Sequence, residues 1–399
     1  MAANLLDYAA EAKNLRLPQK FGVIDSMTSF VSFLEHFQRA RLGVLIDDQG
    51  PSRAALVAPA QDSTTLETNR VLSLSGGLTF VAISPERASA LLLEPMVRQS
   101  IARGAPAPGG EVPTMQQYTT VEAREGVTTG ISAHDRAITI GLLGSSSPQA
   151  RSLVKPGHIF PVGTHQGGVL AKAAIPEGAL DIVRISGFTD AALFVDLLGG
   201  DGELIRAEEA RALAARENIP IATLTEVISY RLEKEPLIRR VAEARVPTSY
   251  AGDVQAIVYR SSIHDVEHIA LVKGTIRAGE TVLVRVQAEN TLTDVFGGSP
   301  TASRQHLQRA LECIGNRGAG VFLYLRRPHI LQEGGNTHQT LQHSTSTSMM
   351  REYGVGAQIL RDLGVSKIEL LTTHPRAIVG LPSFGLSIVS QHPIPDNTM

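Results

Sequence analysis

The chain has one cysteine, Cys313, and no tryptophan in 399 residues. A single cysteine excludes an intrachain disulfide framework and any site built from several thiolates, and it suits a reducing compartment. No apolar run approaches about 18 residues, so no membrane span is expected. The first twenty residues carry Asp7, Glu11, Lys13 and Lys20 without a long apolar core, so no signal peptide is expected either. Charge of one sign is also missing. Lys+Arg number 37 against 39 Asp+Glu, a net charge of −2, which excludes a chain that holds nucleic acid by charge alone. These absences point to a cytoplasmic protein without nucleic-acid or membrane partners. What is present is a 43% hydrophobic content, enough for real cores, and a length that suggests two or three domains. No internal repeat of fixed period occurs.

Along the chain, Ser26 is placed to cap a helix whose Phe30, Phe33, Leu34 and Phe37 form one apolar face. Residues 42–46 predict a buried strand ending in Asp47-Asp48, followed by a turn at 49–52. Residues 54–60 form a further apolar run, and 77–83 predict a buried strand. Ser84-Pro85 starts a helix through Leu93. The Gly/Pro-rich segment 104–113 predicts a loop. Gly167-Gly168 leads toward a strand, another element begins at 180–183, and 193–198 predict a strand containing Asp196. Helices are expected at 206–217 and 224–232. The charged stretch 231–245 reads as a connection and marks the best domain boundary. Beyond it, strands are expected at 256–259, 268–273, 280–286, 320–325, 368–372 and 387–390, with helices at 303–315 and 356–363. The polar stretch 332–348 predicts a loop or disorder. Its His329, His338 and His343 neighbourhood fits no regular ligand spacing.

Residues 126–161 concentrate polar groups in short turns between apolar runs. Gly126 and Gly130 permit backbone geometries that side chains forbid. One reading is a turn cluster in which Ser132 caps a helix and Asp135 lies near its positive end. The other is a binding turn, and both stay open on spacing alone.

The wording of that stretch, GVTTGIS-x-x-DR followed by PGHxFP, resembles 3,4-dihydroxy-2-butanone 4-phosphate synthase. That family makes a four-carbon riboflavin precursor from ribulose 5-phosphate and uses magnesium. The second half, with EHIALVKG, VLVRVxxExxxxDVFG, GVFLYLR, REYGVGAQILRDLGV and ELLTxxP, resembles GTP cyclohydrolase II, a zinc enzyme. Order and length match a fusion of the two over residues 25–395. The resemblance implies a mixed α/β and α+β protein. Its parts would be an extension at 1–24, a synthase-like α+β domain at 25–235 and a cyclohydrolase-like α/β domain at 236–399. It also implies a homodimer.

The resemblance assigns roles residue by residue. His158 matches the catalytic histidine of PGH, and Asp196 the catalytic glutamate of C-E-L, one methylene shorter. Arg351 matches the nucleophilic arginine of D-x-R-x-Y, whose aspartate is Met349 here. Thr128, Thr129, Asp135, Arg136 and Lys172 would bind ligand in the first domain; Arg285, Glu289 and Thr372 would do so in the second. The family's acidic loop reads Asp47-Asp48-Gln49-Gly50-Pro51-Ser52-Arg53 here, and Ile175 stands at a metal-binding histidine. Asn290, Thr301 and Ser303 stand at the three zinc thiolates. The expectation is therefore that no metal or other cofactor is held: no zinc, and no secure seat for magnesium.

Three functions follow. The favoured one is a divergent member without either original reaction, repurposed as an enzyme on a related sugar phosphate or N-heterocycle, ring-opening hydrolysis included. The alternatives are a non-catalytic partner of riboflavin enzymes and an active synthase/cyclohydrolase. In the favoured reading the Gly/Thr turn presents N–H groups to a small anionic or heterocyclic ligand. Arg136, Lys155 and Lys172 add charge, and Asp196 is the candidate to orient His158.

Overall fold

The computed structural model describes residues 23–48, 53–96, 116–262, 266–296, 303–326, 346–373 and 381–394. The expected loop at 104–113 lies outside them, as does 332–345 of the polar stretch 332–348; its last three residues, 346–348, are not loop but open a helix. Two mixed sheets organise the described residues. The first has the order β4-β6-β3-β7-β2-β1-β8, with β5 paired onto β6. Its strands are β1 (Gly43–Asp47), β2 (Arg53–Pro59), β3 (Phe80–Ile83), β4 (Gln116–Gln117), β5 (Val121–Ala123), β6 (Leu153–Gly163), β7 (Ala191–Asp196) and β8 (Ile221–Thr223). The second sheet runs β15-β14-β12-β13-β11-β10-β9. It comprises β9 (Ile238–Thr248), β10 (Gly252–Ser261), β11 (Glu267–Lys273), β12 (Thr281–Ala288), β13 (Gly320–Leu325), β14 (Lys367–Thr372) and β15 (Ser387–Pro393).

Side-chain alternation buries the first sheet on both faces. Leu45, Ala55, Val57 and Phe194 face one core. Val44, Ile46, Leu56 and Val195 face the other. Helix α1 (Val23–Ala40) lays Phe30, Phe33, Leu34 and Phe37 on the first of these faces. Ser26 lies within this helix rather than at its cap. Helices α2 (Thr65–Ser75), α3 (Pro85–Ala90) and α4 (Ala133–Leu143) follow, each capped by a hydroxyl, from Thr64, Ser84 and Ser132.

Helix α5 (Ile175–Ile185) departs from the sequence reading, which began a new element inside it, at 180–183. Gly168–Leu170 is a short 3-10 turn rather than the lead-in to a strand. Ile175, Ala179, Ile182 and Val183 are buried at helical spacing, and Pro176 fits the first turn, where its missing N–H costs nothing. Helices α6 (Ala207–Glu217) and α7 (Leu224–Lys234) complete the first half; α8 (Ser303–Arg317) and α9 (Ser346–Asp362) flank the second sheet. No helix among the described residues is long and apolar enough to cross a membrane.

The charged stretch 231–245 is not a free connection. It is the end of α7 followed by β9, the edge strand of the second sheet. The core is continuous across this seam: Leu232 and Leu237 belong to the same buried cluster as Val355 and Ile359 of α9. One side chain of α9 pins it. Gln358 Oε1 accepts the Leu237 N–H at 2.8 Å, and its Nε2 lies 2.8 Å from the carbonyls of both Leu232 and Glu235. The carbonyls at the end of α7, unpaired within a helix, are thus satisfied by the second half of the chain.

Candidate active site

Strand register gathers the first-domain candidates at one end of the sheet. Asp47 at the end of β1 faces Arg53 at the start of β2, and Ala55 faces Asp196 at the end of β7. Phe194 faces Phe80 on β3, which faces Phe160 on β6, two residues after His158. Asp47, Arg53, Asp196, Thr79 and His158 therefore lie in a row across this end. Arg136 reaches it from α4, donating from a terminal guanidinium nitrogen to Thr79 Oγ1 at 2.9 Å. Gly77 lets the chain before β3 pass close to Asp196, because a Cβ there would sit 2.7 Å from the Asp196 carbonyl.

His158 and Asp196 do not pair. β3 stands between their strands, which puts two strand spacings, about 10 Å, between them. Asp196 instead faces Arg53, with Oδ1 3.4 Å from the guanidinium. Burial raises the pKa of Asp196, and the Arg53 charge offsets this only in part.

The partner of His158 is Glu122, which the sequence reading missed. Val121 of β5 pairs with Ile159, but Glu122 pairs with Val154, so residues 155–158 bulge out of β6. The bulge turns the His158 ring onto the Glu122 carboxylate, with Nδ1 2.7 Å from Oε2. A lone acid between two apolar residues of a short strand, Val121-Glu122-Ala123, was the available signal.

The Gly/Thr turn wraps a different acid. Asp135 Oδ2 accepts the N–H groups of Thr128 and Gly130, at 3.1 and 3.0 Å, and the Thr128 hydroxyl at 3.0 Å. Burial opposes the charge of Asp135, but these hydrogen bonds outweigh it and hold its pKa below the usual aspartate range. The turn's donors are thus turned inward, to Asp135, rather than offered to a ligand. Thr129 is exposed beside it. Lys155 donates to the Leu92 carbonyl, away from the row. Lys172 lies 3.8 Å from Glu177 at the start of α5. Burial raises the pKa of Glu177 despite that lysine.

In the second half, parallel β12, β13 and β14 bring Arg285, Glu289 and Thr372 toward their carboxyl ends, where ligands of open α/β sheets bind. Arg285 donates to the Leu371 carbonyl at 3.1 Å; burial lowers its pKa, with Asp294 opposing. Glu289 lies 3.7 Å from Arg326. Arg351 belongs to α9, but its side chain is outside the description. Asp294 is a hub. It accepts the Tyr324 hydroxyl at 2.8 Å, the Asn290 N–H at 2.9 Å, Gln287 Nε2 at 3.0 Å and the Ser303 hydroxyl. Burial and Asp294 together push the Tyr324 pKa up.

Family models match both halves: residues 32–230 match 3,4-dihydroxy-2-butanone 4-phosphate synthase, and residues 239–393 match GTP cyclohydrolase II. The riboflavin biosynthesis protein RibBA of Aquifex aeolicus is 34% identical over 379 residues, covering 90% of this chain and 91% of that protein. The protein of the same name from Chlorobium phaeovibrioides is 32% identical over 377 residues, covering 91% and 90%. Among solved structures, RibBX of A. baumannii, described as a two domain 3,4-dihydroxy-2-butanone 4-phosphate synthase, aligns with a TM-score of 0.75 and 27% identity. It covers 92% of this chain and 99% of its own. Fold and site define a synthase domain followed by a cyclohydrolase domain in one polypeptide. The chain belongs to the bifunctional riboflavin-biosynthesis family of the RibBA proteins.

Two expectations are corrected by this membership. A chain repurposed away from both reactions is not what the relatives indicate, since those matching nearly end to end carry riboflavin-biosynthesis names. The expectation of no cofactor falls with it: the chain matches both families over nearly its whole length, and these are the families that the resemblance associates with magnesium and with zinc. The sequence reading went from missing ligands to missing function, and the relationship across the whole chain outweighs that step.

The fit of those ions to this chain's own residues is a separate matter. Among the described residues, no group of three or more His, Cys, Asp or Glu is placed to hold a metal ion. Asn290 and Ser303 offer amide and hydroxyl oxygens where thiolates stand in the family, and both are hydrogen-bonded within the protein. That pair does not fit a thiolate zinc site. Asp48 accepts the Thr225 N–H at 3.1 Å, and residues 49–52 lie outside the description.

Proposed function

We propose that the chain works in riboflavin biosynthesis, its first domain converting ribulose 5-phosphate to the four-carbon butanone phosphate and its second opening the GTP ring. The observation that carries the reading is the His158–Glu122 pair at the sheet end, in a chain related to RibBA proteins over nearly its full length. A half-exposed imidazole held by a carboxylate suits removal of a proton next to a ketone. Arg53 and Arg136 place fixed positive charge in the same row, where oxyanions develop. Asp196, at the far side of β3, is the second acid/base group. In the second domain Arg285, Glu289 and Thr372 surround the strand ends, with Arg351 on α9.

Within the family we read this chain as a divergent member. Ile175, Asn290, Thr301 and Ser303 stand where relatives have ligands, so any metal it takes is held by other donors. Two copies are proposed to pair, as the resemblance implies.

A second reading, a synthase whose second domain does not turn over GTP, is favoured by the Asp294 network that fills that domain's site. Purified protein given ribulose 5-phosphate and magnesium should yield butanone phosphate and formate. Given GTP and zinc, it should release formate and pyrophosphate. Product from neither substrate overturns the proposal; butanone phosphate without GTP turnover selects the second reading.

A further inference from the structure

We propose that Glu122 is a positioning residue of the synthase site. It holds His158 with Nδ1 protonated, so that the outward Nε2 is the nitrogen that exchanges protons. The inference rests on the synthase reading for its chemical meaning, but its geometry stands alone.

Glu122 is only 8% exposed, and His158 is its one ion-pair partner among the described residues. Each oxygen is engaged. Oε1 lies 3.1 Å from the Thr139 hydroxyl, and Oε2 accepts the His158 backbone N–H at 3.2 Å and faces Nδ1 at 2.7 Å. Thr139 is fully buried and is itself fixed, accepting the Ala123 N–H at 3.0 Å. An ionised carboxylate offers only acceptors, so the nitrogen facing it at hydrogen-bond distance must carry a proton. The hydrogen bond made by one ring nitrogen sets the state of the other. With Nδ1–H committed to Glu122, the neutral ring has its lone pair on Nε2, and the ring charged by a gained proton stays beside a carboxylate.

The backbone is shaped around this contact. Gly130 has φ +78, and a Cβ there would lie 2.0 Å from Glu122 Oε2 and 2.6 Å from His158 Nδ1. Only glycine closes the turn over the pair. The β6 bulge at 155–158 supplies the other half of the cradle by swinging His158 out of the sheet register. The ring is 47% exposed while the carboxylate side chain is 11% exposed, so the anchored edge is inside and the free edge outside.

The test is 15N NMR of histidine-labelled full-length protein without ligand at alkaline pH. His158 should show a protonated-type Nδ1 and an unprotonated-type Nε2. In E122Q, whose amide can accept or donate, the two resonances should move toward each other. An unprotonated Nδ1 in the native chain overturns the inference, as does a spectrum unchanged by E122Q. Should E122Q not fold, T139V loosens the carboxylate from its second support and serves as the variant, while the native spectrum decides the tautomer by itself. In the ribulose 5-phosphate assay, E122Q should lower kcat about a hundredfold with KM unchanged. Lack of turnover by the native chain counts against the synthase reading and leaves the NMR result to decide the role of Glu122.

Discussion

The two halves meet the same problem, polar groups buried at strand ends, in opposite ways. At the first sheet's end, Arg53 Nε, Arg136 Nε and Asp196 Oδ1 are buried without a hydrogen bond. At the second, Asp294 draws Tyr324, Gln287, Ser303 and the Asn290 backbone into one network, and Arg285 Nε is the unsatisfied atom beside it. Unsatisfied buried groups are costly and need an explanation, and a ligand that supplies their partners is one. A saturated network instead stabilises and rigidifies. The first sheet's end thus keeps polar atoms open to a partner, while the Asp294 network closes on itself.

Four variants would break or sharpen that contrast. The largest effect is expected from H158A, which should cut ribulose 5-phosphate turnover by about 10³-fold, on the order of 4 kcal/mol in activation free energy. Because the ring is half-exposed, the melting temperature should move little; a large fall would make His158 structural. Next is D294A, which strands several buried donors and should destabilise the second half by about 3 kcal/mol in urea unfolding. A change under about 1 kcal/mol would mean the network is not what secures that half.

Q358A should cost about 2 kcal/mol through the lost bonds at the end of α7. It should also hasten proteolysis near residue 236, and an unchanged digestion pattern would argue that apolar packing alone joins the halves. The smallest effect on stability is expected from D196N and carries a pH signature. Burial raises the folded-state pKa of Asp196, so its charged form is disfavoured on folding. The penalty is absent below the unfolded pKa near 4 and is fully present once the pH exceeds the raised folded value. D196N should therefore stabilise by about 1 kcal/mol at neutral pH and by nothing at pH 3. Destabilisation at pH 7 would show that the Arg53 contact outweighs burial.

Local rules were legible and long-range ones were not. The Ser132 cap is a contact within one turn of chain, and spacing announces it. The Phe30–Phe37 face is announced by period alone. Glu122 and His158 are 36 residues apart, and their meeting depends on a bulge that no pattern of side chains encodes. Asp196 looked like the natural partner because the resemblance makes both residues catalytic, but nothing in the sequence shows that β3 lies between them. β9 was taken for a connection because it lacks alternation. Both of its faces are largely exposed, so no apolar period marks it.

That same strand sets a rule for where the polypeptide can be divided. β9 is an 11-residue border strand with one row of backbone groups facing solvent, and Arg239, Arg240, Glu243 and Arg245 line it in exposed positions. Charges along a border discourage strand-on-strand stacking between molecules. A shorter gene product beginning after residue 248 would shed this fringe and leave β10 as the border, with Val254, Ile257 and Tyr259 losing part of their cover. Such a fragment should precipitate or form fibrils during expression more readily than one that keeps β9.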